Sequence, residues 1–404
     1  MDPGSDRLFV DTYERLPLDI REGKGVHLID TRGRTYLDLF SGLAVNALGY
    51  GDPGITAAVN HQLSRYTHLS NYFRQDSQIA LARALRDSTG FDRVFFTNSG
   101  TEAVEGALKM ARRLGGASGR STIIGFSGSF HGRTLGALSV TGREQHRAGF
   151  GPLLPGTLIL PFNDPAALRE AAQGRPVAVI LEYIQGEGGI RPVTGEFAAE
   201  LHRLHREAGF LLIADEIQSG LGRTGRFFAY HHWGARPDIV VSAKALGGGF
   251  PLGAILCTEE ASGGLPRGSH GSTFGGNPVA CAAGCEILRR LTEGGLADHA
   301  RRMGDHLREG LEGLRRRHPQ LVTDVRGKGL MVGLETAVPA RSFSGAMLEA
   351  GFLLNHTAGN VLRFLPPLII AEADLDSAIR ALEATFLAFL RRNKADEGLF
   401  QQGE

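Results

Sequence analysis

Apolar residues along this chain fall into two rhythms, and their alternation is the first constraint on the fold. Between about residues 90 and 290, short β-branched or apolar runs ("RVFFT", "TIIGF", "PVAVILE", "FLLIAD", "DIVVSAK") alternate with segments whose apolar positions fall at helical spacing. In "EFAAELHRLHREAG", Phe197, Leu201, Leu204 and Ala208 recur three or four residues apart, and Gly209 follows as a C-terminal cap. Such alternation predicts strands joined by crossover helices, hence an α/β fold with a mostly parallel central sheet and helices on both faces. Open sheets of this class bind ligands beyond the carboxyl ends of their strands. Asp215, Glu182 and Lys244 are therefore expected along one rim. The alternating "DTRGRTYLDL" before residue 50 and the helix, "DVRGKGLMVGLE", helix pattern after about 295 predict a smaller α+β domain built from both chain ends. The expected division is 1–50 and 295–404 for that domain, around a large ligand-binding domain of 51–294.

Composition narrows the function classes. With 44 Lys plus Arg against 43 Asp plus Glu, the net charge of +1 provides no bulk field for nucleic acid or an anionic membrane. The longest apolar runs are strand-sized, and the first residues, "MDPGSDRLFVDTYERLPLDI", have no export or transit pattern. A cytoplasmic protein is the expectation. Three cysteines without a CxxC spacing fit a reducing compartment, and Cys281 and Cys285 are expected to pack in the core rather than bind a metal. Many of the 56 glycines cluster after strands, in "GLGRTG", "ALGGGFPLG" and "STFGGNP", where backbone must approach something closely.

Chemistry enters at the strand ends. In "FFTNSGTEAVEGALKMARR" a strand runs through Ser99, Gly100 and Thr101 into a helix with an S-x-x-E cap and an apolar stripe of Val104, Ala107, Leu108 and Ala111. That junction is either a capped helix alone or a cradle for one phosphate dianion; without GxxxxGK[ST] it is not a triphosphate loop. "SFHGRTLGALSVTG" offers Phe130 for stacking on a flat ligand and Arg133 for a carboxylate, beside an ambiguous His131. Lys244, after an apolar strand and among small residues, suits a desolvated amine able to form an imine. A phosphate cradle, a stacking aromatic, a strand-end Asp and an imine-forming Lys are together what pyridoxal phosphate requires.

Seven motifs in one order, "NSGTEA", "FHGRTLGALSVTG", "EYIQGEGG", "LLIADEIQSGLGRTGRFFAYHHWG", "PDIVVSAKALGGGFPLGA", "GSTFGGNP" and "VLRFLPPL", resemble those of the class III, omega-type aminotransferases. The similarity is to the acetylornithine aminotransferase group and covers nearly the whole length. It implies a fold type I pyridoxal-phosphate transferase. It further implies that Lys244 binds the cofactor aldehyde, Asp215 pairs with the ring nitrogen, Gln218 lies near the ring hydroxyl and Phe130 stacks on the ring. Ser99, Gly100 and Thr101 would hold the phosphate, and Thr273 would reach the phosphate of a neighbouring subunit in a homodimer with shared sites. Arg133 would take a distal carboxylate and Arg363 the α-carboxylate of glutamate, with Glu187 pairing to Arg363 when an ω-amine is bound. No catalytic role falls to Glu216, which is expected to turn away and hold local backbone or a basic side chain. Gly42 stands where the ornithine aminotransferase group has a bulky tyrosine, which favours an N-blocked donor such as N-acetylornithine, with 2-oxoglutarate as acceptor, in arginine or lysine biosynthesis. Alternatives are lysine or ornithine tethered to a small acidic carrier protein, free ornithine, 4-aminobutyrate, or an aminomutase reaction. Two positions depart from the group's pattern: Tyr183, where Pro is usual, and Tyr50, where His is common.

Overall fold

The computed structural model describes residues 8–116 and 118–400, so the outermost ends of the expected small domain lie outside the described residues. Its centre is a seven-stranded sheet in the order Arg93–Thr97, Gly253–Cys257, Ile239–Ser242, Leu211–Asp215, Ala178–Leu181, Ile123–Phe126 and Thr157–Leu160. Neighbouring strands pair in parallel except around Gly253–Cys257, which runs antiparallel to both its neighbours. The alternation of the β pleat sends successive residues to opposite faces. Ile180, Ile213, Ile239 and Val241 pack under the helix Gly100–Gly116, against Val104, Ala107, Leu108 and Ala111. Val179, Leu181, Leu212, Ala214 and Val240 join the core on the other face, with Phe197 and Leu201 of the helix Gly195–Ala208. Burial on both faces explains why the strands are continuous apolar runs rather than alternating ones.

The helix Gly195–Ala208 starts where the Thr194 hydroxyl accepts from the Phe197 N–H, and it stops at Gly209, whose φ of 60° few other residues tolerate. Strand Leu211–Asp215 follows at once, so the helix fixes where Asp215 emerges. Cys281 is buried and Cys285 half-buried, both as free thiols on the helix Pro278–Thr292.

Two further sheets come from the chain ends. Strands Ile20–Lys24, His27–Asp30 and Thr35–Asp38 form a meander, and Phe352–Leu353 adds to it in parallel beside Thr35–Asp38. Strands Val322–Lys328, Met331–Thr336, Val361–Phe364 and Asn355–Thr357 form the second, antiparallel sheet, which contains Arg363. Between the first meander and the rest lies an unusual turn: Ser41, Gly42, Leu43 and Ala44 all have positive φ, at 45°, 61°, 67° and 65°. Left-handed backbone costs a non-glycine residue roughly 1–2 kcal/mol. The turn is held by the buried Asp38 carboxylate, which accepts from the N–H groups of Phe40 and Ser41 at 2.9 Å, and by the Ser41 hydroxyl, which donates to the Leu365 carbonyl at 2.6 Å. No helix among the described residues is long and apolar enough to cross a membrane.

Candidate active site

A cavity of about 430 Å³ opens at the carboxyl rim of the central sheet. Ser99, Gly100, Thr101, Phe130, Arg133, Glu187, Asp215, Gln218 and Lys244 all line it. Their shared location follows from topology, since each sits at or just beyond the carboxyl end of a strand or on a loop that the rim supports.

The helix Gly100–Gly116 aims its first turn at this space. The Glu102 N–H donates to the Ser99 hydroxyl at 3.3 Å, as the capping pattern predicts, but the Glu102 carboxylate accepts from the N–H and side-chain amide of Asn98, one residue earlier than a reciprocal box requires. Close packing explains two small residues: a Cβ at Gly100 would come within 2.7 Å of Ile217 Cδ1, and one at Gly132 within 2.2 Å of the Thr101 hydroxyl.

Asp215 is 3 % exposed and accepts two hydrogen bonds, from the Ile217 N–H at 3.0 Å and from His131 Nδ1 at 2.7 Å. Burial works against a charged imidazole, yet the bond to Asp215 and the negative charges of Asp215 and Glu182 outweigh it and raise the His131 pKa above its ordinary value. The sequence left this histidine without a role; the structure places it directly behind Asp215. Glu182 stands beside the pair, accepting from the N–H groups of Phe130 and Gly186 at 3.0 and 3.1 Å, and so holds the backbone of the Phe130 turn. Burial carries its carboxyl up to about 7, with His131 opposing and Asp215 adding to the rise. Glu216 does turn away, accepting from the N–H groups of Ala229 and Tyr230 and from the Ser219 hydroxyl; burial brings it up to about 7 against those bonds.

Lys244 follows strand Ile239–Ser242 and adopts φ 48°, a strained conformation for a lysine. The side chain is half-buried and lines the cavity. Burial lowers its amine to about 8; Arg363 acts in the same direction, while Glu187, Asp215 and Glu182 oppose. Gln218 Oε1 is buried with no hydrogen-bond partner, and so is His131 Nε2.

Arg363 lies outside the cavity lining but one contact away, 2 % exposed, with Nη1 on Glu187 Oε1 and with Nε and Nη2 on Asn355 Oδ1 at 3.1 and 2.7 Å. The sequence-predicted pair of Glu187 and Arg363 is thus formed. Arg133 is exposed at the mouth, its guanidinium 5.4 Å from the Phe130 ring centroid. Thr273 is also outside the cavity lining, and unlike Arg363 it sits on the surface, beside the exposed Phe274. Neither departure lines the cavity: Tyr183, next to the lining residue Glu182, is buried against Trp233 with its hydroxyl on His202, and Tyr50 donates to Asp38 at 2.7 Å.

The profile of the family "Aminotransferase class-III" matches residues 9–386. The chain belongs to the class III aminotransferases. Among its relatives, the acetylornithine aminotransferase of Caldanaerobacter subterraneus subsp. tengcongensis is 44% identical over 381 residues, covering 93% of this chain and 96% of that one. The acetylornithine aminotransferase of Rhodobacter capsulatus is 45% identical over 376 residues, covering 92% and 96%. Among solved structures, an ornithine aminotransferase from Toxoplasma gondii, with pyridoxal phosphate partly occupying its active site, superposes with a TM-score of 0.92 at 34% identity, covering 97% of this chain and 94% of that one. As a class III aminotransferase the chain has the fold expected from its strand rhythm, with helices on both faces of a mostly parallel sheet.

Asn98, Ile217 and the pairing of His131 with Asp215 were not foreseen. For His131 a signal existed, because it follows a strand-end turn as Phe130 and Arg133 do. For Ile217 none did: it resembles any other apolar residue near a strand end.

Proposed function

We propose that this aminotransferase uses pyridoxal phosphate to move the ω-amino group of an N-blocked diamino acid, N-acetylornithine first, to 2-oxoglutarate, forming a semialdehyde and glutamate. The observation that carries the reading is the convergence of Lys244, Asp215 and the Ser99–Thr101 helix start on one cavity. The names of the relatives support the donor, and Gly42, with no side chain to crowd an acyl group, supports it independently.

The residues present fit the cofactor. A helix N-terminus with two hydroxyls suits a phosphate dianion. The orphaned Gln218 Oε1 suits a ring hydroxyl, and the buried Asp215 suits a protonated ring nitrogen. When bound, pyridoxal phosphate supplies an aldehyde that condenses with amines and a ring that takes up the electron pair of a broken C–H bond. Asp215 would hold the ring-nitrogen proton, and His131 orients the Asp215 carboxylate through its hydrogen bond. Lys244 would hold the cofactor aldehyde, and its amine when free would move a proton at Nζ. That task needs a neutral amine, and desolvation brings Lys244 from an ordinary value of about 10.4 toward the working range. Phe130 and Ile217 exclude water from the cavity walls. Arg133 binds a carboxylate far from the reacting carbon, and Arg363 binds the α-carboxylate of glutamate once Glu187 leaves it. Two subunits complete two sites, with Thr273 of each reaching its neighbour.

A panel of amine half-reactions tests this reading: N-acetylornithine, N-acetyllysine, ornithine, 4-aminobutyrate and carrier-tethered lysine, each scored by loss of the visible cofactor band. N-acetylornithine is expected to lead. Free ornithine reacting faster than every N-blocked donor would overturn the substrate assignment, and conversion without consumption of a 2-oxo acid would point to an aminomutase.

A further inference from the structure

The Glu187 carboxylate touches two arginines, and only one of them belongs to the switch described above. Its Oε1 meets Arg363 Nη1, while its Oε2 lies 3.4 Å from Arg143 Nη1. The two arginines are held differently. Arg363 is anchored through Nε and Nη2 to the neutral Asn355 Oδ1, so its remaining amine, Nη1, can exchange partners without the side chain losing its place. Arg143 begins the short helix Glu144–Arg147 and donates from Nη1 to the Glu187 carbonyl at 2.9 Å, where the Thr357 hydroxyl also donates at 2.7 Å. The backbone of Glu187 is therefore pinned on one side.

Glycines flank it: Gly186 and Gly188 have no side chains to obstruct a tipping carboxylate, and Gly189 turns the loop with φ 98°. The loop hangs on a two-stranded ribbon of Ile184–Gln185 and Arg191–Pro192, which fixes its base. Glu187 retains 24% of its side-chain surface and Arg143 18%, so an unpaired carboxylate here would be left mostly out of water. A charge stranded in such a place is disfavoured unless a partner takes it up. Burial opposes ionisation of Glu187, but Arg363, Lys244 and Arg143 outweigh it and hold its carboxyl below the usual range.

We propose that Arg143 is the alternative partner of Glu187, so that a substrate carboxylate arriving at Arg363 transfers Glu187 to Arg143 instead of leaving it unpaired. This rests on the reading of Glu187 and Arg363 as the switch. Arg143 is a positioning residue: it receives the displaced carboxylate and does not itself touch substrate. Its loss penalises dicarboxylate substrates, which displace Glu187, more than ω-amine donors, which do not.

The test is equilibrium binding of glutarate, a dicarboxylate with no carbonyl to react, by calorimetry on the cofactor-loaded protein, with the glutamate and N-acetylornithine half-reactions alongside. Arg143→Gln is expected to weaken glutarate about tenfold and to shift the ratio of glutamate to N-acetylornithine half-saturation by a similar factor; Arg143→Lys is expected to restore part of both. In a Glu187→Gln background, Arg143→Gln should then have no further effect on glutarate, because no charge remains to be rehoused. Equal effects on both substrates, or an undiminished Arg143 effect in that background, would overturn the proposal. Arg363→Lys serves as the separate control: glutarate binding unchanged by that substitution would refute the switch itself.

Discussion

In the proposed reaction Lys244 sets the chemistry at the scale of one residue, and its burial makes a pH prediction. A lysine whose folded pKa is depressed to about 8 is increasingly neutral as pH rises through that value, well before an exposed lysine would be. Only the neutral amine attacks an aldehyde. The rate at which cofactor-free protein regains its visible band on addition of pyridoxal phosphate should therefore climb between about pH 7 and 9; a midpoint near 10.4 would show an unperturbed amine. Lys244→Ala should abolish turnover, by at least about a hundredfold as for loss of a general acid–base group. The same linkage makes cofactor-free protein gain stability as pH rises from about 8 toward 10.4, because the unfolded chain holds that proton more tightly. His131 acts one contact further out. Replacing it with Gln removes a buried charge-assisted hydrogen bond, for which roughly 1.5–3 kcal/mol is typical, so kcat should fall about ten- to a hundredfold with KM for either substrate nearly unchanged. Equal activity in the variant would show that Asp215 needs no support. Legibility differs between these two residues for a physical reason. Lys244 sits in a pattern of strand, small residues and glycines that only close approach explains, whereas the role of His131 depends on a contact 84 positions away in sequence.

At the scale of elements, strands and crossover helices were legible because periodicity and caps are local: Gly209 ends its helix as expected, and every strand-end candidate reached the rim. What stayed illegible were features fixed by distant partners. The antiparallel strand Gly253–Cys257 reads as apolar like its parallel neighbours, since burial on both faces erases strand direction from the pattern. The left-handed turn Ser41–Ala44 was equally invisible, because three of its four residues are not glycine and only Asp38, Leu365 and their surroundings hold it there. In the proposed reading, Gly42 is the residue through which this turn would bear on substrate choice. A side chain there meets both the positive φ and Asn46 Nδ2, 3.1 Å from an added Cβ. Gly42→Ala should lower stability by about 1 kcal/mol, read as a reduced denaturant midpoint with an unchanged slope. Gly42→Tyr should in addition favour ornithine over N-acetylornithine in the amine half-reaction. A tyrosine variant that retains the wild-type donor ratio would sever the link between this turn and the acyl group.

The whole molecule leaves one predicted residue without a site in its own chain, and that residue lies in an apolar surface. Thr273 is exposed next to Phe274, which is 57% exposed; Tyr72 and Phe73 are 95% and 63% exposed. The segments are tied together, since Asn71 donates to the carbonyls of Ser272 and Gly275 and His68 packs against Phe274 at 5.1 Å. Large apolar side chains gathered so close together on a surface are what an interface between two copies would cover. A second copy related by a twofold axis would cover this face with its own equivalent and bring each Thr273 toward the neighbouring cavity. Charge substitution at two exposed positions of this face tests this without touching the cavity lining. Tyr72→Asp together with Phe274→Asp should convert a dimer into a monomer by sedimentation while leaving the far-ultraviolet circular dichroism intact. The monomer should bind pyridoxal phosphate at least tenfold more weakly, since each cradle would lack the hydroxyl its partner supplies. Thr273→Val should reproduce the weaker cofactor binding without dissociating the dimer. If the double variant is monomeric yet binds cofactor as tightly as the wild type, the sites are complete within one chain and the apolar face serves assembly alone.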